Sequence, residues 1–168
     1  FHILGILAFL NYLPYSKHFH IILAFPNTYY SNLEPKGSFT NMASVKNEVQ
    51  MMMDPNADPY AAPAEADDQE DPGRFGAKDV NDLNWVQLMN AYSCTECGRC
   101  TSECPANQTG KLLSPRKIMM DTRDRLEEFG AHVKTNGKDV DDGKSLLDDY
   151  ITREELWACT SCNACTQA

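Results

Sequence analysis

The stretch Cys94-Thr-Glu-Cys97-Gly-Arg-Cys100-Thr-Ser-Glu-Cys104-Pro105 places three cysteines at intervals of three residues and a fourth four residues later, directly before a proline. This spacing is typical of a loop that wraps a cubane [4Fe–4S] cluster, because a tight loop lets several sulfurs converge on one cluster. The proline turns the chain away and adds no competing N–H donor. We call this stretch the first Cys run.

A second Cys run, Cys159-Thr-Ser-Cys162-Asn-Ala-Cys165, repeats the pattern close to the last residue, and the two runs contain all seven cysteines of the chain. In two-cluster ferredoxins, the fourth cysteine of each run binds the other cluster. The predicted ligands of the second cluster are therefore Cys104, Cys159, Cys162 and Cys165. The predicted ligands of the first cluster are Cys94, Cys97, Cys100 and a cysteine just beyond Ala168. We therefore expect the chain to be a fragment, and its start at Phe1 inside an apolar segment agrees with that.

Zinc and disulfide bonds are the alternative explanations of the cysteines. Zinc ribbons use paired CxxC motifs with four thiols per metal, so they need neither the third cysteine of each run nor the Cys-Pro pair. Disulfides favour an even number of cysteines and an oxidising compartment, and cysteines this close together are too crowded for native bridges. The pattern favours iron–sulfur clusters over both.

The charge of the chain is unevenly distributed. Net charge is −9 over 168 residues, and residues 41–168 carry 13 basic against 23 acidic side chains. Phosphate repels a domain this acidic, so nucleic acid is excluded as a partner. A basic face on a redox partner suits it better. Thiols that must stay reduced to hold iron indicate a cytoplasm-like compartment.

Residues 1–25 are predicted to be the C-terminal part of a transmembrane helix. Phe1 to Leu13 contains no charge, and Lys17 with neighbouring aromatic residues suits the headgroup boundary. Thirteen residues are too few to cross a bilayer, which needs about 20, so the rest of the span is expected to precede Phe1. A signal-peptide core and a buried soluble helix are the alternatives. Pro14 is expected to bend the helix.

Two histidines in this segment are candidate haem ligands. His2 and His20 are 18 residues apart. This spacing corresponds to five helical turns, so on a continuous helix they share a face and lie roughly 27 Å apart. Such a separation excludes one shared haem and fits two stacked haems, each with its second ligand on another helix. A histidine without a cofactor role is the alternative at both positions.

The remaining segments complete the predicted mainly α organisation. Residues 26–53 form a membrane-exit segment that ends in a short helix, and residues 54–73 form a flexible acidic Pro/Ala linker with too little apolar bulk to fold alone. Within 74–168, Ser114-Pro115 begins a helix that Gly130 is expected to end, and Thr152 to Glu155 is a capping box. The 54 residues between Cys104 and Cys159 contain this helix, which favours an α-helical ferredoxin domain over a compact ferredoxin built on hairpins.

The N-terminal residues His2-Ile-Leu-Gly, Pro14-Tyr-Ser-Lys17 and His20-Ile21 resemble the last membrane helix of nitrate reductase gamma subunits, which are dihaem cytochromes b. The resemblance implies that His20 binds the b haem nearer the iron–sulfur domain and that His2 binds the farther one. The Cys pattern and the helix that begins Ser114-Pro-Arg-Lys-Ile-Met-Met resemble the C-type electron-transfer subunit of heterodisulfide reductase.

A cytochrome-b-like part joined to such a domain is similar to the bacterial heterodisulfide-reductase-related iron–sulfur oxidoreductases. This resemblance implies an inner-membrane location with the iron–sulfur domain facing the cytoplasm. It also implies a catalytic partner with a cysteine-rich CCG-type domain, a motif that this sequence lacks.

The sequence contains no catalytic constellation and no nucleotide fingerprint, so whether the chain is itself an enzyme is left open. We predict a membrane-associated subunit that carries electrons through two [4Fe–4S] clusters between a membrane donor, quinone or b haem, and a catalytic redox partner. An iron–sulfur subunit of a quinone-linked dehydrogenase is one alternative. A membrane-tethered zinc-binding interaction module is another.

Overall fold

The structure, a computed structural model, describes residues 1–35, 43–53, 76–137 and 140–168. The chain forms two units, of which one combines Phe1–Lys36 with Lys78–Ala168 and the other spans Gly37–Ala77. In the second unit the described element is helix α3, Ala43–Met53, within the segment where a short helix was predicted. The predicted linker 54–73 lies outside the described residues. The described residues contain helices and no named strand, so the mainly α prediction is confirmed.

The N-terminal segment forms two helices rather than one. Helix α1 spans His2–Tyr12 and helix α2 spans His20–Tyr29, with 3₁₀ turns Leu13–Tyr15 and Lys17–Phe19 between them. The cause is local: Pro14 has no N–H to donate, and Ser16 is extended, with its hydroxyl accepting the backbone N–H of His18. The expected continuous helix is therefore wrong. None of the described helices is long and apolar enough to cross a membrane.

Helix α4, Trp85–Ser93, packs against α2 and leads into the first Cys run. Asn84 and Gln87 form a capping box at its start, each side chain accepting the backbone N–H of the other residue. Tyr30, directly after α2, meets Trp85 edge to face with ring centroids 4.6 Å apart. The N-terminal segment and the cysteine-rich part thus share one packed unit.

Helix α7 is the longest described element and spans Pro115–Asn136. It begins as predicted, with the Ser114 hydroxyl accepting the N–H of Lys117 and Pro115 in the first turn. The predicted end at Gly130 is wrong, because the helix continues to Gly137, whose φ of +94° ends it. Gly130 is an interior helical residue in open space.

Arg125 lies on α7 among alternating charges, a pattern typical of a solvated face, yet only 1% of its side chain is exposed. Its guanidinium donates to both carboxylate oxygens of Asp79 at 2.9 and 2.7 Å and to those of Asp142 at 2.5 and 3.0 Å. A fifth hydrogen bond reaches the carbonyl oxygen of Lys144 at 2.7 Å. Arg125 therefore ties α7 to the segment before α4 and to the segment before the second Cys run.

Helix α8, Arg153–Trp157, positions Cys159. The predicted capping box is confirmed, since the Glu155 carboxylate accepts the N–H of Thr152 at 2.8 Å while the Thr152 hydroxyl accepts the N–H of Glu155 at 3.3 Å. The other carboxylate oxygen of the buried Glu155 pairs with Lys117 Nζ on α7 at 3.0 Å. Lys117 also donates to the carbonyl of Tyr150 at 3.1 Å. This pairing fixes α8 on α7.

Candidate metal centre

The two Cys runs repeat the same backbone conformation. Two residues after the first cysteine of each run lie Glu96 and Ser161, with φ of +60° and +52°. Four residues after it lie Gly98 and Asn163, with φ of +83° and +61°. Left-handed residues at alternating positions turn successive N–H groups toward one concavity, an arrangement that binds anions such as iron–sulfur clusters. Because left-handed backbone is costly for residues other than glycine, its recurrence at equivalent positions indicates a shared requirement of both loops.

Backbone N–H groups also stabilise the thiolates at equivalent positions. The pKa of Cys97 is lowered mainly by a hydrogen bond from the backbone N–H of Arg99 and next by the guanidinium of the same residue. The pKa of Cys162 is lowered mainly by a hydrogen bond from the backbone N–H of Ala164 and next by the hydroxyl of Thr160. In the second run the N–H of Ser161 donates to Cys159 Sγ at 3.4 Å. The thiolate is the form that binds metal, so these contacts favour ligation at Cys97 and Cys162, the second cysteine of each run.

Cys104 lies with the second run although it belongs to the first. It is 6% exposed, precedes the short helix α6, Pro105–Gln108, and forms a small core with Ala106 and Leu113. Ile118 and Ala158 pack against this core, and Ala158 directly precedes Cys159. Burial raises the pKa of Cys165, and the charges of Cys104, Cys159 and Cys100 add to that increase. Three of these four cysteines belong to the predicted second cluster, whereas Cys100 is assigned to the first and the remaining predicted ligand, Cys162, is not among them. The ligand assignment of the second cluster therefore stays a prediction.

The first three cysteines lie between the end of α4 and the short helix α5, Arg99–Ser102, which contains Cys100. Cys94 ends α4, Cys97 is exposed, and Cys100 is half-buried within α5. Among the described residues, no three Cys, His, Asp or Glu side chains are arranged to hold one metal ion. Beside Cys94, the hydroxyl of Ser93 is buried without a hydrogen-bond partner in the described part of the chain. The thiolate donor set, the inward-turned N–H groups and this unused hydroxyl fit an iron–sulfur cluster, whose sulfurs accept hydrogen bonds.

A cleft of about 680 Å³ separates the first Cys run from the break between α1 and α2. Residues 14–20 line one side, and Tyr92, Cys94–Glu96 and the α7 residues Arg123, Asp124 and Glu127 line the other. Glu96 accepts from Arg123 Nη2 at 3.0 Å and from Lys17 Nζ at 3.4 Å. The Arg123 hydrogen bond is the main cause of the lowered pKa of Glu96. These contacts hold the first Cys run against both α7 and the N-terminal segment.

The structure separates the two candidate haem ligands. His2 begins α1 and His20 begins α2, so the break removes the argument that they share a face of one helix. His20 Nδ1 lies 2.7 Å from the carbonyl oxygen of Lys17. A carbonyl only accepts, so Nδ1 carries the proton and, in the neutral ring, Nε2 is left as a lone pair. That is the arrangement in which histidine binds metals.

Sequence reasoning missed the ion pairs around the site. Arg123 follows Glu96 by 27 residues, and Lys17 precedes it by 79. The partners of Arg125 are Asp79, 46 residues before it, and Asp142, 17 residues after it. No local spacing rule connects such residues. The one sequence signal for Glu96 is a charged residue inside a cysteine loop whose equivalent in the second run is Ser161.

Comparison with known proteins identifies the cysteine-rich part. Residues 93–168 match the family described as 4Fe-4S dicluster domain. The chain is 33% identical over 193 aligned residues to the "Probable iron-sulfur-binding oxidoreductase FadF" of Bacillus subtilis, covering 98% of this chain and 24% of that protein. It is 26% identical to the "EtfAB:quinone oxidoreductase" of Syntrophomonas wolfei, covering 99% of this chain and 22% of that protein.

A third relative is a component of the dihydromethanophenazine:CoB--CoM heterodisulfide reductase of Methanosarcina acetivorans, 31% identical over 91 residues, 52% of this chain and 22% of that protein. The chain thus spans about a quarter of the length of these relatives. No solved structure matches the chain significantly. Residues 93–168, just under half of the chain, are thus similar to 4Fe–4S dicluster domains, and the repeated loop geometry agrees with that match.

Proposed function

We propose that this chain transfers electrons through two [4Fe–4S] clusters between a membrane donor, quinone or b haem, and a catalytic redox partner related to heterodisulfide reductase. The observation that carries the proposal is the repeated cysteine loop within a domain matched to the dicluster family. The clusters supply one-electron carriers. The chain's own residues bind them through thiolates, turn N–H groups toward them and, at Cys104, exclude water.

Contacts between the first Cys run and the N-terminal segment support the order of this path. The Lys17–Glu96 pair and the Tyr30–Trp85 contact place the first run beside residues 14–30. Two cysteines of the second run, Cys159 and Cys162, are exposed, against one of the first run, Cys97. We therefore assign the first cluster to the membrane side and the second to the partner side.

Membrane association is proposed from the apolar surface of α1. Ile3, Leu4, Ile6 and Leu10 are all more than half exposed, which is a costly arrangement in water. FadF and the EtfAB:quinone oxidoreductase align with nearly the whole chain, including this segment. Another relative, from Chromohalobacter salexigens, is described as a "Probable membrane-anchored ferredoxin". We propose the inner membrane as the location, with the iron–sulfur domain facing the cytoplasm.

Haem ligation by His20 is proposed from the hydrogen bond that fixes its tautomer. His2 is the proposed ligand of a second b haem through the cytochrome b resemblance alone. Replacing His20 by alanine is expected to lower the haem content of the full-length protein. His18→Ala is the matched control, since His18 lines the same cleft but its ring makes no such bond to the residues that the structure describes. Equal haem content in both variants and the parent would remove His20 from the proposal.

The catalytic partner is proposed to carry a CCG-type cysteine-rich domain through the heterodisulfide-reductase resemblance alone. Relatives described as heterodisulfide reductase subunits support a redox partner. The acidic charge of residues 41–168 favours a basic docking face on that partner. A second candidate is an iron–sulfur subunit of a quinone-linked dehydrogenase, which the EtfAB:quinone oxidoreductase favours because its alignment covers 99% of this chain.

Anaerobic iron, sulfide and haem analysis with EPR spectroscopy of the full-length protein tests the proposal. Two clusters require about eight irons and eight sulfides, with coupled cubane signals in the reduced state. Changing both Cys162 and Cys97 to serine is expected to abolish the coupling. Zinc in place of iron, with no sulfide, would leave the zinc-binding interaction module and refute electron transfer.

A further inference from the structure

Glu96 lies between the first and third cysteines of the first run. Among the charged residues at such positions in either run, it is the one whose side chain forms an ion pair with another element in the described part of the chain. Its carboxylate lies between Arg123 Nη2 on α7, at 3.0 Å, and Lys17 Nζ, at 3.4 Å. Both Glu96 and Arg123 are about four-fifths buried, with 21% and 19% of their side chains exposed. The carboxylate is therefore held in place, and Glu96 itself lies between the first two cysteines of the first run.

The second loop has no equivalent charge. Ser161 occupies the matching position with nearly the same backbone φ, +52° against +60°. The two loops therefore repeat their geometry and differ in electrostatics at this point. A backbone requirement alone does not explain a glutamate here, because the same conformation is adopted by serine.

Resting on the proposed electron transfer, we propose two roles for Glu96. It is a positioning residue that fixes the first Cys run between α7 and Lys17. Its negative charge lowers the reduction potential of the first cluster relative to the second. One-electron reduction adds a negative charge to the cluster. The carboxylate of Glu96 disfavours that charge, and the two cations paired with it, Arg123 and Lys17, favour it.

Glu96 and Lys17 therefore shift the reduction potential of the first cluster in opposite directions. Glu96→Gln keeps the side-chain shape and removes the negative charge, so it favours reduction of the first cluster. Lys17→Gln removes a positive charge and disfavours reduction. Lys17 is 82% exposed and lies outside the cysteine-rich part, so its replacement does not disturb folding of the loop. Water screens its charge, and the expected change is smaller than for Glu96.

Redox titration of the full-length protein with dithionite, followed by EPR, measures both effects. The first-cluster signal is the one that Cys97→Ser alters. Glu96→Gln is expected to raise the reduction equilibrium constant of that signal about tenfold, which is 59 mV for one electron. Lys17→Gln is expected to lower it about threefold. Glu103→Gln is the matched control, since Glu103 is exposed in the same run, and it is expected to shift the signal by less than either variant.

Shifts of opposite sign confined to the first cluster support the proposal. No shift in either variant, or shifts of the same sign, would overturn it, because a merely distorted loop does not reverse sign with charge. A protein that lacks iron and sulfide would refute the proposed electron transfer itself, whereas two intact clusters with unshifted potentials would refute only the role of Glu96.

Discussion

Replacing Arg125 by methionine removes the guanidinium that joins α7 to Asp79 and Asp142 and keeps a side chain of similar length. Four of its five hydrogen bonds end on carboxylate oxygens, at 2.5 to 3.0 Å. Removing one partner from a buried ion pair typically costs about 3–5 kcal/mol, because the remaining charges lose their compensation. We expect a cost at the lower end of this range, since Asp79 is 16% exposed and water reaches it.

Hydrogen exchange in the cluster-loaded protein measures this cost locally. The N–H of Leu146 donates to Asp79 Oδ1 and that of Leu147 to the carbonyl of Lys78, both at 3.0 Å, so both amides report on the same junction. A cost of about 3 kcal/mol accelerates their exchange roughly 100-fold. The amide of Ser102, which donates to Gly98 in the first Cys run, is expected to be unaffected.

Arg153→Met is the matched control, because Arg153 also makes a two-pronged pair, with both oxygens of Asp148 at 3.0 Å, but is 67% exposed. Exposed pairs contribute about 0–1 kcal/mol. Equal exchange in the Arg125 and Arg153 variants would refute the structural role of the buried pair. In the Arg125→Met background, Asp142→Asn is expected to recover part of the loss, since it removes one of the two uncompensated charges.

The pH dependence of this junction has a definite sign. The hydrogen bond from Arg125 lowers the pKa of Asp142 from its ordinary 3.8 to about 2. Because the folded pKa is depressed, the stabilisation is complete above about pH 4 and is lost as the pH falls toward 2, to a total of about 2 kcal/mol. Arg125→Met abolishes this dependence. Pulse-labelled exchange at Leu146, completed before acid releases iron, tests it.

Three further predictions concern the cluster loops and their supports. Cys104→Ser is expected to lose the second cluster and keep the first, measured by iron content and EPR, and loss of the first cluster instead would contradict the assigned ligands. Glu155→Gln breaks the capping box and the Lys117 pair and is expected to cost about 1–2 kcal/mol in thermal unfolding. The hydrogen bond from the N–H of Thr152 is the main cause of the lowered pKa of Glu155. The stabilisation by the Glu155 carboxylate is therefore present above pH 4.5, the ordinary pKa of glutamate, and is lost as the pH falls below it. Gly98→Ala is expected to speed iron loss to a chelator, because φ is +83° at Gly98 and left-handed backbone costs other residues about 1 kcal/mol. Gly130→Ala is expected to raise the free energy of unfolding by about 1 kcal/mol, because Gly130 lies in open space within α7.

The features that the sequence predicted correctly depend on neighbouring residues. Ser114-Pro115 begins α7 and Thr152 caps α8 because each cap is formed by residues within three positions. The cysteine spacing likewise predicted the dicluster domain because the loop that binds a cluster is a local structure. The predicted helix end at Gly130 was wrong because glycine permits a helix to end but does not make it end. The backbone hydrogen bonds of α7 continue through Gly130 to Gly137.

The features that were missed depend on distant residues. Arg125 lies among alternating charges that are typical of a solvated face, and only its partners at positions 79 and 142 account for its burial. In the N-terminal segment, the break at Ser16 depends on a side chain that accepts the backbone N–H of His18 in place of helical bonding. Hydropathy alone does not register that competition.

The two cysteine loops are held in place by ion pairs rather than by a large apolar core. The described buried apolar side chains near the loops are few and mostly small, such as Ala91, Ala106 and Leu113, and they bury little area. The loops are instead tied to α7 by charge: the first through Glu96 and Arg123, the second through Lys117 and Glu155. Metal ligation adds its binding free energy to folding, so a domain with this little apolar core relies on its clusters for stability. Helix α7 is then the common support of the two cysteine loops, and in the proposed function it sets the spacing across which electrons pass from one cluster to the other.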